Sequence, residues 1–158
     1  MNFLDALNTK ASEVEKPEVL PEGTYIWKVS KLFKNSQTSS GEWDIINIPV
    51  TPVMAYADAD DVDADALEKF GDVKAGVNSI RFMFPTEADK ENDRKRALFN
   101  LKRFLLDTLR VAGDEDSTLK ELLTMAVGCE FIAQAKHRHD AERDATFVDV
   151  VSWMPTDA

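Results

Sequence analysis

The stretch GTYIWKVSKLFKNSQTSSGEWDIINI, residues Gly23 to Ile48, decides the fold. Two apolar runs flank a polar, serine-rich loop, the signature of a β-hairpin. In the first run, Thr24–Lys34, Tyr25, Trp27 and Val29 alternate with Lys28 and Ser30, so one side is apolar and the other wet. The alternation slips at Lys31 and Leu32. A bulge near Ser30–Lys31 repairs it and turns Phe33 outward. The second run, Glu42 to about Val50, sends Ile46, Ile48 and Val50 inward and Trp43, Ile45 and Asn47 outward. Pro49 and Pro52 lack an N–H, so its end is expected to be an edge or a bend.

Downstream of this hairpin, Val77–Phe84 reads as a third strand. Ile80, Phe82 and Phe84 face in, Arg81 and Met83 face out, and Pro85 ends it. The run DKENDRKRALFNLKRFLLDTLRVAG carries Leu98, Leu101, Leu105, Leu109 and Ala112 at helical spacing with Phe104 beside them, and Gly113 is the expected stop. Thr118 and Glu121 form a capping box for a second helix, Leu119 to Val127. Strands four (Cys129–His137) and five (Thr146–Trp153) are joined by the loop RHDAERDA.

Upstream, residues 1–23 form an arm. Its first 14 residues read as a short helix capped by Asn2 and Asp5, with Phe3, Leu4 and Leu7 on one side; Pro17 and Pro21 end it. The arm is either a terminus docked by a few apolar residues or a partner-binding peptide. Residues 57–76 form an acidic insertion, expected to be a solvated loop with one helical turn at Ala64–Phe70.

The order is therefore strand, strand, strand, helix, strand, strand in one domain, 24–156. The predicted fold is mainly β with helices: a five-stranded OB-fold barrel with a helix between strands three and four, the alternative being a generic α+β sandwich of the same elements. Its expected core is Tyr25, Trp27, Ile46, Ile48, Ile80, Phe82, Leu101, Leu105 and Phe131.

Composition narrows the function. The chain has 158 residues and no apolar run long enough for a membrane-spanning helix. The N-terminus lacks a basic region followed by an apolar stretch, so no secretory signal is expected. The single cysteine, Cys129, suits a reducing compartment. The net charge is −10, which argues against a nucleic-acid partner until its location is considered. Residues 1–23 carry −3 and residues 57–72 carry −6, so the rest of the chain stands at −1.

The outer face inferred for strands one to three holds Lys28, Phe33, Lys34, Trp43, Asn47 and Arg81. Rings and cations on one surface suit single-stranded nucleic acid, whose bases stack and whose phosphates attract cations. Arg138 and Arg143 in the last loop would close over such a ligand. The plainer reading packs Trp43 and Phe33 under a loop or at a subunit contact. The basic helix start (Lys90, Arg94, Lys95, Arg96, Lys102, Arg103) reads as a solvated face. His137 and His139 lack a third metal ligand, and the acidic run Asp61–Asp65 lacks the glycine of a calcium loop. No phosphate loop or nucleophile motif is present, so neither an enzyme nor a cofactor is expected.

Several segments also carry a resemblance: LPEGTYIWKVSK, SSGEWDIINI, RKRALFNLKRFL and GCEFIAQAKHRHDAERDATFVDVVSWMP. Together they are similar to bacteriophage single-stranded DNA-binding proteins of the OB-fold type, over about residues 18–156. The resemblance implies a protein that coats single strands during phage replication or recombination, in the cytoplasm of an infected bacterium. Expected partners are single-stranded DNA, phage or host replication proteins and further copies of the chain, with no membrane. The C-terminus, MPTDA, departs from the extended acidic tail of many such proteins, and the acidic insertion could take its place. The alternative reading is an acidic module that imitates DNA and inhibits a host protein. A third is a structural virion protein.

Overall fold

A computed structural model describes residues 3–13, 19–62, 65, 67 and 78–156. The expected cap at Asn2, Pro17, most of the expected turn at Ala64–Phe70, and Asp157 lie outside these residues. The fold is a mainly antiparallel sheet of six strands with a helical run of 21 residues. Its strands are β1 (Gly23–Val29), β2 (Lys34–Gln37), β3 (Trp43–Ala55), β4 (Asn78–Pro85), β5 (Glu130–Asp140) and β6 (Ala145–Met154). Helices include α1 (Phe3–Ala6), α2 (Glu91–Arg103, led in by a 3-10 turn at Ala88–Lys90 and continued by a π turn at Phe104–Thr108) and α3 (Leu119–Met125).

The sixth strand arises because the first expected strand is split. Val29 pairs with Val50 and Lys34 with Asn47. Five steps along one chain thus face three along the other, so two residues are extra. Lys31 and Leu32 are exposed, Leu32 by 52%. An even number of extra residues leaves the in–out parity unchanged. Phe33 therefore turns inward, half-buried against the core, and only Lys34 faces out. This reverses the outward placement expected of Phe33.

The prolines of β3 do not end it. In a strand, the N and O of one residue point the same way. The Pro49 carbonyl accepts from Ser30 N at 3.0 Å, so its missing N–H faces the gap between β1 and β2, where little pairing is lost. Pro52 sits beside a register shift, where Ile26 pairs with Met54 but Trp27 with Pro52. β3 can therefore run 13 residues and serve two neighbours: β4 and β2 along its first half, β1 along its second.

The strand order is β2-β3-β1-β5-β6, with β4 on the far side of β3. No ladder joins β4 to β6 among the described residues; aromatic side chains meet there instead, Phe82 and Trp153 with centroids 5.7 Å apart. Tyr25, Trp27, Ile48, Ile80, Phe82, Leu101, Leu105 and Phe131 are buried as expected, and Ile46 packs half-buried against them. The Trp27 indole donates to the Ala133 carbonyl at 3.1 Å, so the largest core side chain leaves no orphan donor.

The helical run ends earlier than expected. Leu109 N bonds to Phe104 O at 2.9 Å, five residues back, and Arg110 takes the left-handed conformation at φ 51°. Gly113 instead permits close approach: a Cβ there would lie 2.5 Å from Leu122. The capping box of α3 forms as expected between Thr118 and Glu121. The hairpin β5–β6 is longer than expected, so Arg138 and His139 belong to β5 rather than to a loop.

The acidic insertion is not solvated throughout. Thr24 donates to Asp61 from its N–H (2.9 Å) and its hydroxyl (2.7 Å), and Leu67 is buried in the core. Gly23, at φ 150°, leaves room for Val62; a Cβ there would meet the Val62 Cβ at 2.7 Å. The arm docks through Leu20, whereas Phe3, Leu4 and Leu7 are exposed.

Candidate nucleic-acid interface

The antiparallel ladders fix which outer-face residues are neighbours. Lys34 pairs with Asn47, and Asn47 with Arg81, so the three form one row across β2, β3 and β4. Arg81 Nε donates to Asn47 Oδ1 at 3.4 Å within that row. Two residues along β3, Ser36, Ile45 and Met83 form the next row, and Trp43 opposite Pro85 forms the third. Trp43 is half-buried, so part of its ring is accessible. Ile45 faces outward as expected yet is buried, at 9% exposure. It lies outside the main core cluster, which agrees with its outward direction.

Lys28 does not join this group. It pairs with Thr51, four residues along β3 from Asn47 and so about 13 Å away, and with Glu130 on its other side. A carboxylate neighbour weakens its pull on a phosphate.

The row continues past Arg81 into a cleft of about 320 Å³ between β4 and β6, lined by Arg81, Arg138, Phe147 and Asp149 among others. The Arg138 guanidinium lies over the Phe147 ring at 5.1 Å and bonds Asp149 at 3.2 Å. Arg138, expected in a closing loop, thus borders the same cleft as Arg81 from strand β5 instead. Arg143 stays at the exposed hairpin turn, 3.7 Å from Asp140, away from the cleft. Phe147 was missed in the sequence because strand five offered no reason to single it out. Its signal is the register Arg138–Phe147, which only the paired hairpin reveals.

The basic residues of α2 are largely occupied. Lys95 pairs with Glu91 (3.6 Å), Lys102 with Glu115 (2.7 Å) and Arg103 with Asp107 (3.8 Å). Arg94 holds the carbonyls of Pro85 (2.9 Å) and Glu87 (3.0 Å), tying β4 to the helix start.

His137 is a clasp for the arm: its ring nitrogen lies 2.7 Å from Leu20 O and its N–H donates to Glu22 at 2.8 Å. That N–H, then the charges of His137 and Lys136, hold the Glu22 carboxyl below its usual range. His139 stands 3.7 Å from Asp144. Among the described residues, no group of three or more ligands could hold a metal. The bonds from Thr24 likewise hold the Asp61 carboxyl down. Burial, and then the Asp61 charge, push Tyr25 up to about 12. Burial also raises the Cys129 thiol, which opposes nucleophilic use.

No helix among the described residues is long and apolar enough to cross a membrane. No protein-family model matches the chain, and no curated protein matches it significantly.

Proposed function

We propose that the protein binds single-stranded DNA, without sequence preference, on the outer face of β2, β3 and β4. The observation that carries this reading is the row Lys34–Asn47–Arg81, which places two cations and an amide across three strands. Trp43 lies two rows away as a stacking surface, and Arg138 over Phe147 extends the track. Phosphates would sit on Lys34, Arg81 and Arg138, and bases on Trp43 and Phe147. Phe33, Lys28 and Arg143 have no part in this track.

The chain topology supports an OB-type barrel. β1 and β2 act as one interrupted strand, followed by β3, β4, a helix, and a hairpin whose first strand pairs with β1. Such a barrel uses this sheet face for oligonucleotides. A coat for single strands in phage replication or recombination, acting in the infected cell, fits both this face and the sequence resemblance.

The acidic insertion favours the competing reading, a DNA imitator that binds a host protein. Sizing the full chain alone and with poly-dT separates them. A DNA binder migrates with the oligomer at low salt. A DNA imitator stays free of it, and a virion protein forms large assemblies without DNA; either result overturns the proposal.

A further inference from the structure

We infer that the open seam between β4 and β6 is a pocket for a single unstacked nucleobase of the bound strand, an inference that rests on the strand-binding reading above. The seam holds a cavity of about 500 Å³, within the roughly 300–1,000 Å³ of small-molecule sites. It lies between β4, the end of α2 and the end of β6, and meets the sheet face that carries Trp43 at Arg81 and Met83.

Two backbone irregularities build it. Ile132 pairs with Met154 but Gln134 with Val151, so β6 carries an extra residue there, and Ser152 sits at φ 58°. A non-glycine residue in that conformation is strained, and bulges re-aim side chains beside functional sites. This one turns Trp153 into the seam, where its indole is fixed by a bond to Val150 O at 2.9 Å. On the other side, the π turn Phe104–Thr108 widens the helix where Asp107 and Thr108 reach the cavity rim. Such turns are rare and frequent at functional sites.

The lining matches a base. Phe82, Phe104 and Trp153 form a ring cluster with centroids 4.8–5.7 Å apart, in which half-buried Trp153 is the ring an entering base would meet and buried Phe82 and Phe104 back it. Asn100 offers both a donor and an acceptor, and Asp107 accepts, as the mixed edge of a base requires. The Arg103–Asp107 pair is exposed on both sides, so it yields at little cost. Arg81 lines both this cavity and the neighbouring cleft. A phosphate held at Arg81 therefore places an adjoining base at the mouth of the seam.

The test is calorimetric titration of the full chain with thymidine monophosphate, inorganic phosphate and an oligo-dT, each repeated on Asn100→Ala and Asp107→Ala. Both substituted positions are exposed, so the variants should fold; circular dichroism checks this. The inference expects saturable binding of the mononucleotide, none of phosphate at the same concentration, and at least fivefold weaker mononucleotide binding in each folded variant. Equal binding of phosphate shows an arginine anion site and overturns the base pocket. Oligo-dT binding without mononucleotide binding, or mononucleotide binding untouched in a folded variant, also overturns the pocket and leaves the sheet-face reading standing. Failure of both ligands overturns both.

Discussion

Trp43 is the proposed stacking residue most open to test, because it is only half-buried and its backbone is held at the hairpin end, its N–H donating to the Thr38 hydroxyl and its carbonyl accepting from the Thr38 N–H. Trp43→Ala should weaken oligo-dT binding by about 1–3 kcal/mol with an unchanged melting temperature. Anisotropy titration at low salt measures the first and thermal denaturation the second; undiminished affinity removes the residue from the site. Tyr25 makes a different prediction. Its hydroxyl donates to Pro21 O at 2.8 Å inside the core, so it should resist ionisation until about pH 12, read by absorbance at alkaline pH. Below about pH 10 its contribution to stability is complete, and it is lost as pH rises toward 12. Asp61 works with the opposite sign. Its carboxyl is more acidic in the folded chain, so its contribution is present above about pH 4 and fades as pH falls further. Asp61→Ala orphans two donors of buried Thr24 and should cost about 1–3 kcal/mol at pH 7. Urea denaturation at pH 7 and pH 3 should show that gap narrowing in acid.

The elements show what was legible in the sequence and what was not. Period-two alternation located the strands and named their inner residues, because a buried face tolerates few exceptions. Phe33 was misplaced because a bulge of one residue and an excision of two look alike in sequence, yet only the first changes parity. Pro49 and Pro52 were read as an edge or bend near Val50, and the strand ran on past them because the sequence does not say which edge of a strand lacks a partner. Asp61 read as solvated because its partner Thr24 is 37 residues away. Arg138 stood out as a cation, but its company, Phe147 and Asp149, was invisible until the hairpin register was known. That register yields a prediction at the element scale. Asp149 ties down Arg138, so Asp149→Asn should raise oligo-dT affinity severalfold, whereas Arg143→Ala at the turn should leave it unchanged. Lower affinity in Asp149→Asn contradicts the track through the β4–β6 cleft.

On the scale of the whole molecule, the strand–helix–hairpin order was legible because each element has its own period and punctuation. The open seam was not, because bulges and π turns leave no mark in hydrophobic pattern. The charge distribution was legible too, and it resolves an apparent conflict. A chain at −10 can bind a polyanion if −9 of that net charge lies in the arm and insertion while Lys34, Arg81 and Arg138 line one face. The most direct measurement is therefore oligo-dT affinity against salt concentration for the full chain. Three phosphate contacts predict a log–log slope of about −2.1, reduced toward about −1.4 in Arg81→Ala. No binding at low salt, or a slope unchanged by removing Arg81, would contradict the account.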